Sequence, residues 1–348
     1  MYKIIYSIGE FIGTGANILF MKFTPQILIV VTLIMALLIA GCTNQSGEEK
    51  TEIRIGYQPS THQIAHVVAM EKGWWQQDLA PYGVKNVTDY VFPTGAPEMQ
   101  AMLAGDLDVA YVGAAPVLSA VSTGLDAKII AGVNTQGSDL VLRTGLDYTG
   151  PDSLKGLKIA TFQAGTIQDT VLRNWLQANN IDPENDVQII GMGPGDAVTA
   201  ITAKKVDAVF LPHPSPSIIE ASGSGRTVVK SGEMYPGHTC CVLVASDQLI
   251  REHPELVEQI IRTHIRATEF ANQNPDEAAM IYSAKTGLDV DIVRESLKDW
   301  DGAFVTDPAA IVAPVMDYAQ IQYELGYIEK PLTQDDLFDL TLYKKATA

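Results

Sequence analysis

Ile53-Arg54-Ile55-Gly56-Tyr57 runs into a Pro59-Ser60-Thr61 turn, and further along Leu157-Lys158-Ile159-Ala160 runs into Ala164-Gly165-Thr166. Each pair opens the same series. In the first copy an apolar-periodic helix extends to Trp75, followed by a strand from Val87 to Phe92, a helix after Gly95, and Ala104-Gly105-Asp106-Leu107-Asp108 leading into a last strand. In the second, a helix extends to Ala178, followed by a strand from Val187 to Ile190, a helix after Gly193-Pro194-Gly195, and Val206-Asp207-Ala208 opening the last strand. Short β-branched runs alternating with helix-length periodic segments predict parallel sheets in an α/β protein. Two copies of one pattern predict two similar lobes.

In open α/β sheets a small ligand sits at the carboxyl ends of the strands, where loops lead into helix N-termini. That rule selects Ser60, Thr61 and His62 in the first loop, Gly95 and Ala96 in the second, and Gly113 and Ala114 in the third. In the second copy it selects Gly165, Thr166 and His213. Free N–H groups and the positive dipole end of a helix suit an anionic or polar ligand. The same residue types also serve as ordinary caps and turns. Between the copies, Lys128–Val133 and Leu140–Leu142 read as strands leaving lobe one, and Thr239–Ala245 reads as a strand returning. Two crossings make a hinge, and Gln136 beside the first is a further candidate contact. An amphipathic helix from Pro254 to Ala271 and helices near 289–300 and 308–325 complete lobe one.

The amino end has a different character. After Met21 and Lys22 comes a nearly unbroken apolar run from Ile27 to Ala40, then Gly41-Cys42 and a polar stretch from Thr43 to Lys50. The run is short against the roughly 20 residues of a membrane-spanning helix. Charge, apolar core and small residues in that order make an export signal. Cys42 directly after Ala-Gly resembles a lipobox, which implies cleavage before it and a lipid on its sulfur. The expected organisation is a signal over 1–41, its first 20 residues lying upstream of a plausible start at Met21, and a linker over 42–51. Lobe one then takes 52–142 with 240–348, and lobe two takes 143–239.

Composition removes several functions. With 24 Lys and Arg against 41 Asp and Glu, the net charge of −17 repels phosphate backbones and anionic lipid surfaces, so nucleic acid is excluded as a partner. No nucleophile elbow, phosphate loop or paired catalytic carboxylates appear. Six histidines are scattered along the chain, among them His62, His66, His213 and His238. His62 and His66 have i, i+4 spacing but no His-Glu-x-x-His arrangement, so neither a metal nor another cofactor is expected. Cys240 and Cys241 leave three alternatives: two buried thiols on a hinge strand, a vicinal disulfide permitted outside the cytosol, or metal ligation with His238. Trp74 and Trp75 are assigned to packing.

Glu71-Lys72-Gly73-Trp74-Trp75, Ala104-Gly105-Asp106-Leu107-Asp108, Leu154-Lys155-Gly156-Leu157-Lys158-Ile159 and Val206-Asp207-Ala208 together resemble the NMT1-like substrate-binding proteins of nitrate, sulfonate, taurine and thiamine-precursor ABC importers, over residues 52–340. The resemblance implies a two-lobed periplasmic-binding-protein fold of the type II, Venus-flytrap kind that closes on its solute. It also implies an ABC permease and ATPase as partners, and no enzymatic activity. The loops offer hydroxyls, amides and histidine but almost no Arg or Lys. That favours a small oxyanion or sulfonate cradled by N–H groups, or a neutral heterocycle such as a thiamine-pyrimidine precursor. The thiamine-pyrimidine synthases, enzymes on the same fold, carry a cysteine-rich segment where His238–Cys241 falls. Only two cysteines of that cluster are present, and the histidine those enzymes use in the first loop aligns with Gln63.

Overall fold

A computed structural model describes residues 49–348; the expected signal and Cys42 lie outside the described residues. Both copies of the pattern are present. The first gives β1 (Glu52–Tyr57), α1 (Ile64–Glu71), α2 (Trp74–Leu79), β2 (Asn86–Val91), α3 (Gly95–Leu103), β3 (Val109–Gly113), α4 (Ala114–Ser122) and β4 (Ala127–Thr135). After β5 (Ser138–Arg143), the second gives β6 (Lys158–Thr161), α5 (Ile167–Ala178), β7 (Gln188–Gly191), α6 (Pro194–Thr202), β8 (Ala208–Pro212), α7 (Ser215–Ala221), β9 (Gly225–Lys230) and α8 (Ser231–Met234). The chain closes with β10 (Thr239–Ser246), α9 (Asp247–Glu252), α10 (Pro254–Gln273), α11 (Pro275–Thr286), α12 (Val290–Asp299), α13 (Val312–Glu324), α14 (Gln334–Leu337) and α15 (Leu340–Ala346). The helix expected to reach Trp75 breaks after Glu71, because Gly73 takes the left-handed conformation (φ 68°) that glycine adopts without steric cost.

Two five-stranded sheets have matching orders, β2-β1-β3-β10-β4 and β7-β6-β8-β5-β9. In each, the first three strands are parallel and the fourth runs antiparallel to the third. The fourth strands are exchanged between chain segments: β10 returns from lobe two into the first sheet, and β5 follows lobe one yet pairs with β8 and β9. This corrects the expected boundary. The crossing lies at Gln136–Gly137 rather than after Leu142, because Leu140, Val141 and Leu142 are fully covered between β8 and β9.

Burial follows the sequence pattern. Ile53, Ile55 and Tyr57 point inward from β1, and Thr239 to Ala245 are buried throughout, as a strand covered on both faces requires. On α10, Leu256, Val257, Ile260 and Ile261 form the buried stripe, each worth about 1.5–3 kcal/mol. Trp75 is completely buried, while Trp74 lies beneath the Arg266 guanidinium and meets Phe270 edge-on, so both tryptophans are packing residues. None of the described helices is long and apolar enough to cross a membrane.

Candidate solute cleft between the lobes

The carboxyl ends of β1, β3, β6 and β8 face a cleft between the two lobes. Of the candidate residues, Ser60, His62, Gly95, Gly113 and Thr166 line it. His213 borders an adjoining hollow with Ser60 and Phe162, and Ala96 and Gly165 border another with Ser119. Thr61, Ala114 and Gln136 do not line the cleft. Thr61 shares a hydrogen bond with Ser296 (2.8 Å), and Ala114 begins α4 in the core. Gln136 braces the crossing: its amide donates to the Asp301 carbonyl (2.6 Å), and its oxygen accepts from Gly237 N (2.8 Å).

The lobes are closed on each other. Ser60 Oγ donates to the His213 carbonyl (2.7 Å), and His62 Nε2 lies 2.6 Å from the Gly137 carbonyl. Gln322 Nε2 donates to the Gly165 carbonyl (3.0 Å), and Tyr327 OH to Asp169 Oδ2 (2.6 Å). In this state the cleft holds a cavity of about 20 Å³, room for little more than one water.

The same loops, together with β10, bring further residues to the cleft. Gln58, Gln63 and Gln168 supply amides, and Cys240 and Cys241 supply the thiols. Gln58 Nε2 donates to Glu98 Oε2 (2.8 Å), while Glu98 Oε1 is buried without a partner. Burial pushes the Glu98 carboxyl well above its usual range, favouring the neutral acid. Adjacent strand residues normally face opposite sides. The pairing of β10 with β4 shifts register at Thr239, Cys241 and Val242, however, and such an irregularity re-aims side chains. The two Sγ atoms consequently lie 3.8 Å apart, unbonded and buried.

His62, not His238, is their histidine neighbour. His62 Nδ1 sits 3.4 Å from Cys240 Sγ, and these three donor atoms all lie within 4.8 Å of one another. His238 points elsewhere, with Nδ1 at the Tyr235 carbonyl and its ring against Tyr235 and Tyr318. His213 Nε2 approaches Asp139 Oδ2 at 3.3 Å but is without a hydrogen-bond partner.

Two features suit an anion. The N-cap residues of α3 and α4, Thr94 and Gly113, provide no side-chain cap, so first-turn N–H groups are left at the cleft. In α5 the situation differs: Thr166 accepts from Asp169 N (3.4 Å) and donates to the Gln163 carbonyl (2.8 Å).

Comparison with known proteins agrees with this architecture. A putative aliphatic sulfonates-binding protein of Bacillus subtilis is 29% identical over 327 residues, covering 91% of this chain and 96% of its own. The alkanesulfonate-binding protein SsuA of Xanthomonas axonopodis pv. citri superposes with a TM-score of 0.74 at 20% identity, over 84% of this chain and 99% of its own. The nitrate-binding protein NrtA of Synechocystis does so with a TM-score of 0.74 at 16% identity, over 85% and 88%. At those identities the two structures establish the two-lobed fold. Residues 46–285 match the model of the NMT1-like family, and with that match the chain belongs to the NMT1-like family.

Proposed function

We propose that the chain is an extracytoplasmic solute receptor that binds a small anion of the sulfonate or nitrate kind and delivers it to an ABC permease and ATPase without altering it. One observation carries the anion: the uncapped starts of α3 and α4 border the same cleft, at Gly95 and Gly113. Backbone N–H groups and two dipole ends favour negative charge there. Burial of Glu98 in the first turn of α3 favours its neutral form, which weakens its repulsion of an anion. Relatives named for sulfonate and nitrate binding support the class. A thermal-shift series over alkanesulfonates, nitrate, bicarbonate and thiamine-pyrimidine precursors tests it, since a ligand of the native state raises the melting point. A shift with a sulfonate or nitrate is expected; a shift with the heterocycles alone overturns the anion.

The receptor is held at the membrane by a lipid on Cys42. Wild type should partition into detergent and label with lipid, and Cys42→Ala should do neither. Membrane-bound wild type without lipid refutes the anchor.

A further inference from the structure

His62, Cys240 and Cys241 come from two distant segments, yet they place three metal-ligating atoms together on one wall of the cleft. We propose that they form a binding site for a thiophilic divalent cation of the zinc class, bound through His62 Nδ1 and both Cys Sγ atoms, with its fourth position open to the cleft.

The spacing fits. Zn–S bonds of about 2.3 Å and Zn–N bonds of about 2.0–2.1 Å at tetrahedral angles separate two sulfurs by about 3.8 Å and a sulfur from a nitrogen by about 3.6 Å. The protein has 3.8 Å between the sulfurs and 3.4 Å between Cys240 Sγ and His62 Nδ1. Cys241 Sγ, within 4.8 Å of a ring nitrogen of His62, closes the triangle with a small side-chain adjustment.

The surroundings point the same way. A carbonyl can only accept, so His62 Nε2 carries the ring proton and gives it to Gly137 O. Nδ1 is thereby left with its lone pair directed at the thiols, the arrangement that fixes a metal-ligating imidazole. Trp300 stacks on the ring at 5.3 Å and holds its plane. Gln63 Nε2 and Gln168 Nε2 approach the two sulfurs at 3.8 and 3.9 Å, placed to donate to thiolates. Binding releases the two thiol protons to solvent. A divalent cation with two thiolates and a neutral imidazole carries no net charge, which a buried site tolerates, whereas a monovalent cation leaves one negative charge unpaired. No Lys or Arg lines the cleft, so the cation also supplies the positive charge an anionic solute would meet. That role rests on the receptor reading; the binding itself does not.

The test uses the full chain, purified in detergent, reduced, and without solute. Equilibrium dialysis against Zn(II) should give one ion per chain, and Co(II) should give a sulfur-to-cobalt charge-transfer band with tetrahedral d–d bands. Cys240→Ser/Cys241→Ser should weaken binding at least a hundredfold and abolish the charge-transfer band. His62→Gln should weaken binding at least tenfold while keeping that band. Circular dichroism and melting curves confirm that each variant is folded. If the cysteine variant does not fold, alkylation of the thiols in folded wild type, which should block uptake, replaces it. Co(II) bound without a sulfur band, undiminished binding after either thiol treatment, or uptake of Cu(I) but not Zn(II) overturns the proposal.

Discussion

His62 reaches from the first loop of lobe one to the Gly137 carbonyl, 2.6 Å away, at the point where the chain crosses into lobe two. The cleft wall and the hinge therefore share one hydrogen bond.

Gly137 has no tolerance for a side chain. Its φ is +85°, and a Cβ would collide with the Trp300 indole and sit 2.5 Å from His62 Nε2. Gly137→Ala combines left-handed strain with overpacking, so it should cost about 2–4 kcal/mol. A urea melt beside wild type measures it; a loss below about 0.5 kcal/mol shows that the crossing can relax.

Thr166 caps α5 with its hydroxyl oxygen while its proton goes to Gln163. Thr166→Ala should lower folding stability by about 1 kcal/mol and leave solute affinity within about twofold. Titration calorimetry and a denaturant melt on the same variant separate the two effects. A tenfold loss of affinity at unchanged stability would make Thr166 a ligand contact instead.

Tyr327 binds Asp169 across the cleft, and Asp169 also pairs with Arg173 at 2.8 Å. Tyr327→Phe removes one bond to a charged acceptor in a half-buried place, worth about 1–2 kcal/mol. The closed-to-open ratio should fall roughly tenfold, and apparent solute affinity should fall as far as the closed fraction does. Small-angle scattering of the solute-free variant should show a larger radius of gyration; an unchanged radius assigns closure to other contacts.

His264 and His238 contribute to the acid response, beside buried His66. His264 Nε2 donates to the Gly132 carbonyl (2.8 Å), and Nδ1 accepts from Tyr111 OH (2.9 Å), an arrangement that requires the neutral ring. Burial lowers His264 and His238 to about 4. The unfolded value lies near 6.5, so between those limits the unfolded chain holds more protons. Their contribution is complete above pH 6.5 and is lost as pH falls toward 4. Urea melts over pH 7 to 4 should show His264→Gln with a slope shallower by up to one proton, roughly 1.4 kcal/mol per pH unit. An identical slope means that His264 is already solvated.

The lobes were legible because each repeats one alternation of strand and helix, and burial kept that alternation: Ile53, Ile55 and Ile159 all face inward. Hinge position was not. Leu140 to Leu142 are equally apolar whichever sheet they join, and only pairing with β8 and β9 decides. Of the cleft, the loops at strand ends, Gln63 and Gln168 among their residues, were found by rule, whereas the pairing of the two thiols with His62 rather than His238 was not. Their shared signal is tertiary, since His62 and Cys240 are 178 positions apart. The register shift that turns both sulfurs to one side is also invisible in an unbroken apolar strand.

The exchange of β5 and β10 between segments also fixes the order in which the protein can be assembled. Lobe two is finished once β9 has been made, because its five strands are consecutive. Lobe one is not: its sheet holds β4 only through β10, so a chain cut before Thr239 leaves β4 without a neighbour and Val112 on β3 facing no partner. A chain leaving a ribosome or an export channel amino end first therefore carries an unfinished first lobe past a completed second one. The earliest-made half of the molecule is the last to become resistant to proteases.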